Sequence, residues 1–358
     1  MARNKKYVFV YEKDQKNNGG LLIIILCFVL SIAIVAITVS AYMNTKVKLL
    51  NEKITFLGMS KELDGFSILH ISDLHASKLG SDFTVWRNTL NQQKYHAVVL
   101  TGDMVGKSGE SEAFLSLIHN LKQINSKIPI YFIAGDEDPA PIISTYTGSP
   151  ETIASWVTSG EKAGAIYLDV PVCQQVGDEK VWFIPEYLYD VDINGMIGSL
   201  SSQILEMEKD GYPYESSSAS VYNASKYRLD TLEYTQNILA NLEADDFQVA
   251  VNHAPLDISY IRSSLSWSDK QEIFTFKNID LMLAGHYCGG QWRIPLLSSV
   301  YMPEFGWFPP DEGIVGFRRV NSLNLYISPG LSARTTHPLM GRLFNPPAVT
   351  ILRFSRSL

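Results

Sequence analysis

Residues 66–75 read FSILHISDLH, an apolar run of strand length that ends in a polar turn. A helical pattern follows over residues 83–93, and AVVLT at 97–101 has the continuous apolar character of a buried strand. Apolar residues then recur at helical spacing over 112–124, before the strand-like run IYFIA at 130–134. This β-α-β-α-β order predicts an α/β fold whose helices cover the faces of a sheet.

Three later runs continue the strand pattern: VWFI at 181–184, FQVAV at 247–251 and IDLMLA at 279–284. Residues 186–245 interrupt the alternation, although a helical pattern is visible over 227–242. We therefore expect residues 186–245 to form an insertion in the α/β domain.

The segment at 21–42, LLIIILCFVLSIAIVAITVSAY, contains no charged residue. As a helix it would span a hydrocarbon core of about 30 Å. Val39-Ser40-Ala41 resembles the small-residue site of signal-peptide cleavage, so a cleaved signal peptide is the competing interpretation. Signal-peptide cores are usually about 7–15 residues long, and this longer run favours a retained transmembrane helix.

The flanking charges indicate which way the chain crosses the membrane. Five basic residues precede the apolar segment and three follow it: Arg3, Lys5, Lys6, Lys13 and Lys16, then Lys46, Lys48 and Lys53. By the positive-inside rule, residues 1–20 form a cytoplasmic tail and 21–42 a single pass through the cell membrane. A connector at 43–63 then leads to an extracytoplasmic domain at 64–358, which makes the lipid bilayer a predicted partner.

The overall charge and the cysteines exclude two classes of protein. With 30 Lys and Arg against 37 Asp and Glu, the chain carries a formal net charge of −7. No nucleic-acid partner is expected, because such a partner requires a strongly basic face. Three cysteines, one of them inside the apolar segment, do not form the framework of a disulfide-rich protein.

Side chains of the types that bind metal ions follow five of the predicted strands. They are Asp73 and His75, Asp103, Asp136 to Asp138, His253, and His286 with Cys288. Ligands of open α/β sheets bind at the carboxyl ends of the strands, so we expect these side chains to converge there. A lone Asp-x-His pair is more often structural. So many carboxylates and imidazoles at one edge, however, would repel or stay unsatisfied without cations between them.

The order of these motifs resembles the calcineurin-like metallophosphoesterase superfamily. The motifs are Asp-x-His at 73–75, Gly-Asp at 102–103, GDED at 135–138, His-Ala-Pro at 253–255 and GHYCGGQ at 285–291. The segments 326–331 and 342–347 resemble the membrane-associated bacterial branch. The resemblance implies an α/β fold built as a two-sheet β-sandwich flanked by helices. It also implies two divalent metal ions (Mn, Fe or Zn) in loops at the edge of the sheets.

The resemblance assigns a role to each motif. It implies that Asp73 and His75 bind the first metal ion and that Asp103 bridges both ions. His253 and His286 would bind the second ion. A metal-activated hydroxide would attack the phosphorus of a phosphorylated small molecule or lipid, while the metal ions neutralise the phosphate oxygens.

Three residues differ from the family pattern. Asp136 takes the place of an Asn ligand of the second ion, and Cys288 takes the place of the last His ligand of the first ion. Both can still bind a metal ion, although a thiolate suits zinc better than manganese or magnesium. Glu137 takes the place of the His that protonates the leaving group. We predict that Glu137 is the catalytic acid, a role that requires its pKa to be raised toward neutrality.

These substitutions leave two functions open. The first is an active membrane-anchored phosphoesterase that hydrolyses a phosphomonoester or phosphodiester of lipid or cell-envelope origin. The second is a catalytically degenerate protein that acts in binding or scaffolding. Asp73, Asp103, Asp136, Glu137 and a Cys288 thiolate would supply five negative charges against four positive ones, and such a site attracts phosphate weakly. Restoring His at positions 137 and 288 separates the two, since a large gain in hydrolysis would indicate degeneracy.

Overall fold

The computed structural model describes residues 19–143, 152–211, 216–243, 245–267, 275–294, 298–310, 313–333 and 341–357. In these ranges the α-helices are α1 Gly19–Met43, α2 Phe83–Leu90, α3 Glu112–Ile124, α4 Ser155–Lys162, α5 Ile193–Lys209, α6 Ser216–Leu239 and α7 Ile258–Trp267. The 3-10 helices are Lys61–Leu63, Lys78–Gly80, Glu186–Leu188 and Phe276–Asn278. The first eight strands are β1 Lys48–Leu57, β2 Ser67–Ile71, β3 Ala97–Thr101, β4 Ile130–Ile133, β5 Ile166–Tyr167, β6 Val172–Val176, β7 Glu179–Pro185 and β8 Phe247–Val251. The others are β9 Leu281–Ala284, β10 Trp292–Arg293, β11 Ser299–Met302, β12 Gly306–Trp307, β13 Gly316–Val320, β14 Leu323–Ile327 and β15 Ala348–Ser357.

Two six-stranded sheets form a sandwich. The first has the strand order β1-β15-β2-β3-β4-β5 and the second the order β13-β14-β9-β8-β7-β6. Buried side chains of both sheets share one apolar layer, to which β3 contributes Val99 and β9 contributes Leu283. Across this layer Tyr131 stacks on Phe183, with ring centroids 4.3 Å apart. A third, three-stranded sheet has the order β10-β11-β12.

Helices cover the outer face of each sheet. The helices α3 and α4 pack on the first sheet through Phe114 and Trp156. The helices α6 and α7 pack on the second sheet through Leu232 and Ile261. This arrangement confirms the predicted fold of a two-sheet sandwich flanked by helices, and it places α5 and α6 of the insertion on the outer face of the second sheet.

The spacing of apolar residues in the sequence explains why the strands and the helices form where they do. Every residue of β3 is buried, as expected for a central strand with parallel neighbours on both sides. The buried residues of α3 include Phe114, Leu117, Ile118 and Leu121, which recur at the spacing of one helix face. The continuous and the periodic apolar runs thus fold as the sequence predicted.

The strand β1 corrects the predicted connector at 43–63. It pairs in parallel with β15 at the far end of the chain, from Lys48 beside Ala348 to Leu57 beside Ser357. The side chains of Ile54 and Phe56 are buried in the layer between the sheets, whereas most of the other side chains of β1 face outward. Local pattern alone could not identify this strand, because its only partner among the described residues lies near the opposite terminus.

The helix α1 is long and apolar enough to cross a membrane, and it is the one such helix in the described part of the chain. Its 25 residues extend for about 37 Å at 1.5 Å per residue. Its end is joined directly to the α/β domain. Asn44 Nδ2 donates to Arg342 O at 2.7 Å, and Phe344 N donates to the buried Ser40 Oγ at 2.9 Å.

Candidate metal centre

The seven predicted metal ligands come together at one edge of the sandwich. Each lies just after a strand: Asp73 and His75 after β2, Asp103 after β3, Asp136 after β4, His253 after β8, and His286 and Cys288 after β9. Three groups have ligand atoms that all lie within 4.8 Å of one another: Asp73, His75 and Cys288; Asp136, His253 and His286; and Asp73, Asp103 and His253. Because Asp73 and His253 each occur in two groups, the three form one continuous cluster.

Asp103 occupies the centre of this cluster. Its Oδ2 atom lies 3.7 Å from His75 Nε2 on one side and 3.2 Å from His253 Nε2 on the other. Its Oδ1 atom accepts a hydrogen bond from the backbone of Glu137 at 2.7 Å. One carboxylate oxygen thus faces both halves of the site while the other is held by the chain, which is the geometry that a bridging ligand needs.

The first half of the site consists of Asp73, His75 and Cys288. His75 Nε2 lies 3.8 Å from Cys288 Sγ. Asp73 Oδ1 accepts a hydrogen bond from the backbone of His286 at 3.0 Å. Burial, followed by the charge of Asp73, raises the pKa of the Cys288 thiol well above its ordinary value. A bound cation is therefore needed to make Cys288 an ionised ligand, and metal ions do deprotonate the thiols that they bind.

The second half consists of Asp136, His253 and His286. His286 Nδ1 lies 3.1 Å from Asp136 Oδ2 and 3.2 Å from His253 Nε2. The hydrogen bond with His286 lowers the pKa of Asp136. Burial favours the neutral ring of His253, but the hydrogen bond and charge of Asp103 outweigh it and raise the pKa of His253 to about 9. The carboxylates here thus stabilise positive charge.

Each of the three imidazoles has an oxygen atom beside the ring nitrogen that points away from the cluster, within hydrogen-bonding distance for His75 and His253 but not for His286. His75 Nδ1 lies 3.2 Å from Glu137 Oε2, and His286 Nε2 lies 3.7 Å from Glu304 Oε1. His253 Nδ1 lies 2.7 Å from the carbonyl oxygen of Thr101. Metal-binding histidines usually contact a carboxylate or carbonyl in this way, which fixes the tautomer and leaves the other nitrogen for the metal ion.

The backbone around these ligands adopts an uncommon conformation. Five of the seven have positive φ: Asp73 (54°), His75 (46°), Asp103 (54°), His286 (76°) and Cys288 (46°). Non-glycine residues rarely adopt such angles, which cost about 1–3 kcal/mol each and concentrate at functional sites. The turns that carry the ligands are therefore held in place by the surrounding sheets.

Two glycines allow the ligand turns to pack closely. Gly102 has φ +85°, and a Cβ atom there would lie 2.7 Å from His253 Nδ1. A Cβ atom on Gly135 would collide with the backbone nitrogen of Asp103. Asp138 fixes the same region, because it accepts hydrogen bonds from Val105 N and Gly135 N at 2.8 Å each. The GD and GDED motifs thus pack against each other.

The cluster fits divalent metal ions on its own chemistry. Asp73 Oδ2 is buried and has no hydrogen-bond partner among the residues that the structure describes. A buried carboxylate oxygen in that position requires a cation or a donor. The donor set combines carboxylate, imidazole and thiolate groups, all of which bind zinc.

Sequence reasoning missed one residue of the site, Glu304. It lies in the turn between β11 and β12, outside every predicted strand end, and its contact with His286 depends on tertiary packing. Glu137 was predicted as the proton donor to the leaving group. The structure places its carboxylate on the outer nitrogen of His75, and its catalytic role stays a prediction.

Comparisons with known proteins identify the family of this chain. Residues 66–289 match the calcineurin-like phosphoesterase family, Metallophos. No curated protein matches the chain significantly. Among solved structures, the phosphopantetheinyl hydrolase PptH of Mycobacterium tuberculosis is 13% identical, with a TM-score of 0.35 over 78% of this chain and 96% of that one. TT1561 of Thermus thermophilus is 11% identical, with a TM-score of 0.35 over 75% of this chain and 90% of that one. Because the family match alone covers more than half of its residues, the chain belongs to the calcineurin-like phosphoesterase family.

Proposed function

We propose that this chain is a membrane-anchored, metal-dependent phosphoesterase that hydrolyses a phosphomonoester or phosphodiester of lipid or cell-envelope origin. The observation that carries this proposal is the central position of Asp103 between two sets of buried metal ligands. The apolar helix α1 supports the anchor, and the basic residues before it support an extracytoplasmic domain.

The two sets of ligands would hold two divalent ions. Asp73, His75 and Cys288 would bind the first ion, Asp136, His253 and His286 the second, and Asp103 both. When bound, such ions neutralise phosphate oxygens and lower the pKa of water toward neutrality. The thiolate of Cys288 favours zinc or iron over manganese at the first position.

The surrounding residues orient the ligands. With a proton on Nδ1, His75 donates to Glu137 and turns its Nε2 lone pair toward Asp103 and Cys288. Glu304 faces the outer nitrogen of His286 in the corresponding position. We propose that Glu137 acts mainly by holding His75. To protonate a leaving group, as the sequence predicted, its carboxyl would have to leave that histidine.

The alternative function, a degenerate protein that binds or scaffolds, is favoured by one observation. Glu304 adds a further carboxylate to the acidic residues that the sequence already placed in the site. Each added negative charge weakens the attraction of the site for a phosphate dianion. Turnover therefore decides between the two functions.

The test measures metal content and hydrolysis on the same sample of the full-length chain in detergent. We expect about two metal ions per chain and turnover of bis(p-nitrophenyl) phosphate with zinc, iron or manganese. Asp103→Ala should lose both, whereas Glu233→Ala, an exposed carboxylate on α6, should retain both. One metal ion or none, without turnover under any of these conditions, would reject the enzyme and favour binding or scaffolding.

A further inference from the structure

An aromatic hairpin projects from the domain beside the metal centre. It consists of β11, β12, the turn between them and the following Phe308, which donates its N–H to Val300 O, residues 299–308 in all. Phe308 is 79% exposed, Trp307 57% and Phe305 49%. Single exposed apolar side chains need no explanation, but three large aromatic residues within four positions mark an interaction surface.

The hairpin is connected to the end of α1 through a series of hydrogen bonds. Ser40 and Asn44 of that end hold the segment 342–344. This segment pairs with β10, since Arg293 N donates to Leu343 O at 2.9 Å. The strand β10 pairs with β11, and β11 with β12. Three strand spacings of about 4.8 Å separate the segment 342–344 from β12, so Trp307 lies about 14 Å from the segment that the helix end holds.

The domain and α1 together line one apolar groove at positions that would lie inside the bilayer. Phe344 lines this groove together with Val35 and Val39 of α1. At the same end of the helix, Lys46 Nζ lies 2.6 Å from Tyr42 Oη, and Tyr and Lys are typical of the membrane interface. No free linker therefore separates the bilayer surface from the segment 342–344.

We propose that the aromatic hairpin is a second membrane contact, in which Trp307 and Phe308 insert into the interfacial layer of the bilayer surface from which α1 emerges. This inference rests on the proposed function, because it requires α1 to span the membrane. Trp is stabilised in that layer because its ring is apolar and its N–H can bond to water or headgroups, and Phe308 would add apolar area.

The contact would fix the height of the metal centre above the membrane. Glu304, in the turn of the hairpin, lies 3.7 Å from His286 Nε2, and the rings of Phe305 and Tyr287 are 5.8 Å apart. Residues of the hairpin thus contact a metal ligand and its neighbour. With the hairpin in the interfacial layer, the metal centre lies at the level of the lipid headgroups.

The test uses quenching of tryptophan fluorescence in the full-length chain. The chain is reconstituted into phosphatidylcholine vesicles. In one set the acyl chains carry bromine atoms close to their glycerol end, which is the depth of the interfacial layer. We expect brominated lipid to quench the wild type, and Trp307→Phe to lose more than half of that quenching. Trp182→Phe, on the second sheet and bonded to Asp246, is the matched control and should leave the quenching unchanged.

Equal quenching of wild type and Trp307→Phe would overturn the inference. The inference would also be overturned if the fluorescence of Trp307 changed with protein concentration but not with brominated lipid. A second copy of the chain would then cover the hairpin. Two further measurements test the proposed function independently of the hairpin contact. Flotation of the chain with vesicles after an alkaline wash tests the anchor, and turnover of the soluble diester tests the enzyme. If the chain floats with the vesicles and hydrolyses the diester but Trp307 is not quenched, only the proposed hairpin contact is refuted and the proposed function stands.

Discussion

Replacing Glu137 with alanine tests how the metal centre holds His75. The carboxylate lies 3.2 Å from His75 Nδ1, and both side chains are buried. In Glu137→Ala the outer nitrogen loses its acceptor, so the ring can change tautomer or rotate. His75 Nε2 would then no longer be held toward Asp103 and Cys288. Metal affinity should fall, although no metal ligand has been removed.

The expected loss follows from this contact. Removal of the partner of a metal-binding histidine typically weakens metal binding by about 10- to 100-fold, or ~1.4–2.8 kcal/mol. Glu137→Gln keeps an acceptor oxygen but loses the charge, and charge-assisted hydrogen bonds are roughly twice as strong as neutral ones. We therefore expect Glu137→Gln to retain roughly half of the metal-binding free energy that Glu137→Ala loses.

The assay titrates zinc into each full-length variant against a chromophoric chelator and measures diester hydrolysis at every zinc concentration. If Glu137 orients His75, kcat of Glu137→Ala returns close to the wild-type value at saturating zinc. Glu233→Ala, which is exposed on α6, controls for the loss of one negative charge.

A proton donor would give the opposite result. Loss of a general acid lowers kcat by about 10²- to 10⁴-fold, whatever the metal concentration. If Glu137→Ala binds zinc normally and its kcat stays low at saturation, the orienting role is refuted. The catalytic role predicted from the sequence would then be supported.

Three further predictions concern other positions. Cys288→His should shift the metal preference from zinc toward manganese, measured as metal content after growth with either ion, because imidazole is less selective for zinc than thiolate. Burial raises the pKa of Asp280 to about 7, so ionisation should lower folding stability as pH rises from about 4 to 7; Asp280→Asn should raise Tm at pH 8 more than at pH 5. Gly135→Ala should lose bound metal because its Cβ would displace Asp103, whereas Gly198→Ala on α5, which has open space, should keep it.

The sequence predicted where the seven candidate ligands come together, because the position of each depends on local pattern; that they bind metal ions stays a prediction. The buried strands β2, β3 and β4 are parallel neighbours, and so are β8 and β9. Parallel neighbours bring their carboxyl ends to one edge, so a residue placed just after such a strand is placed in the site. That geometry brings Asp73 and Asp103 together in the first sheet and His253 and His286 together in the second. The packing of the two sheets then brings both pairs into one site.

Contacts between distant segments could not be predicted in the same way. The pairing of β1 with β15 joins opposite ends of the chain, and an exposed edge strand has only weak apolar alternation. Glu304 reaches His286 from a turn of the small sheet, and Glu137 reaches His75 across two strand ends. The GDED motif placed Glu137 in the site but did not indicate its contact with His75. Carboxylates are common in turns, so no local signal separates Glu304 from surface residues.

One buried arginine links the end of α1 to the loops beside the candidate metal centre. Arg342 donates to Pro329 O at 2.8 Å, to Ser332 O at 2.6 Å and to Asn345 Oδ1 at 3.0 Å, and its own carbonyl oxygen accepts from Asn44. Burial lowers its pKa only to about 10, so it stays charged at neutral pH.

Through Asn345 this network extends to the metal loop, because Asn345 Nδ2 donates to Cys288 O at 2.9 Å. Cys288 has positive φ, a conformation that must be held by its surroundings. Two side chains, Arg342 and Asn345, thus separate the end of α1 from a metal ligand. The helix α1 is for that reason part of the support of the candidate metal centre, and we expect its removal to alter the site.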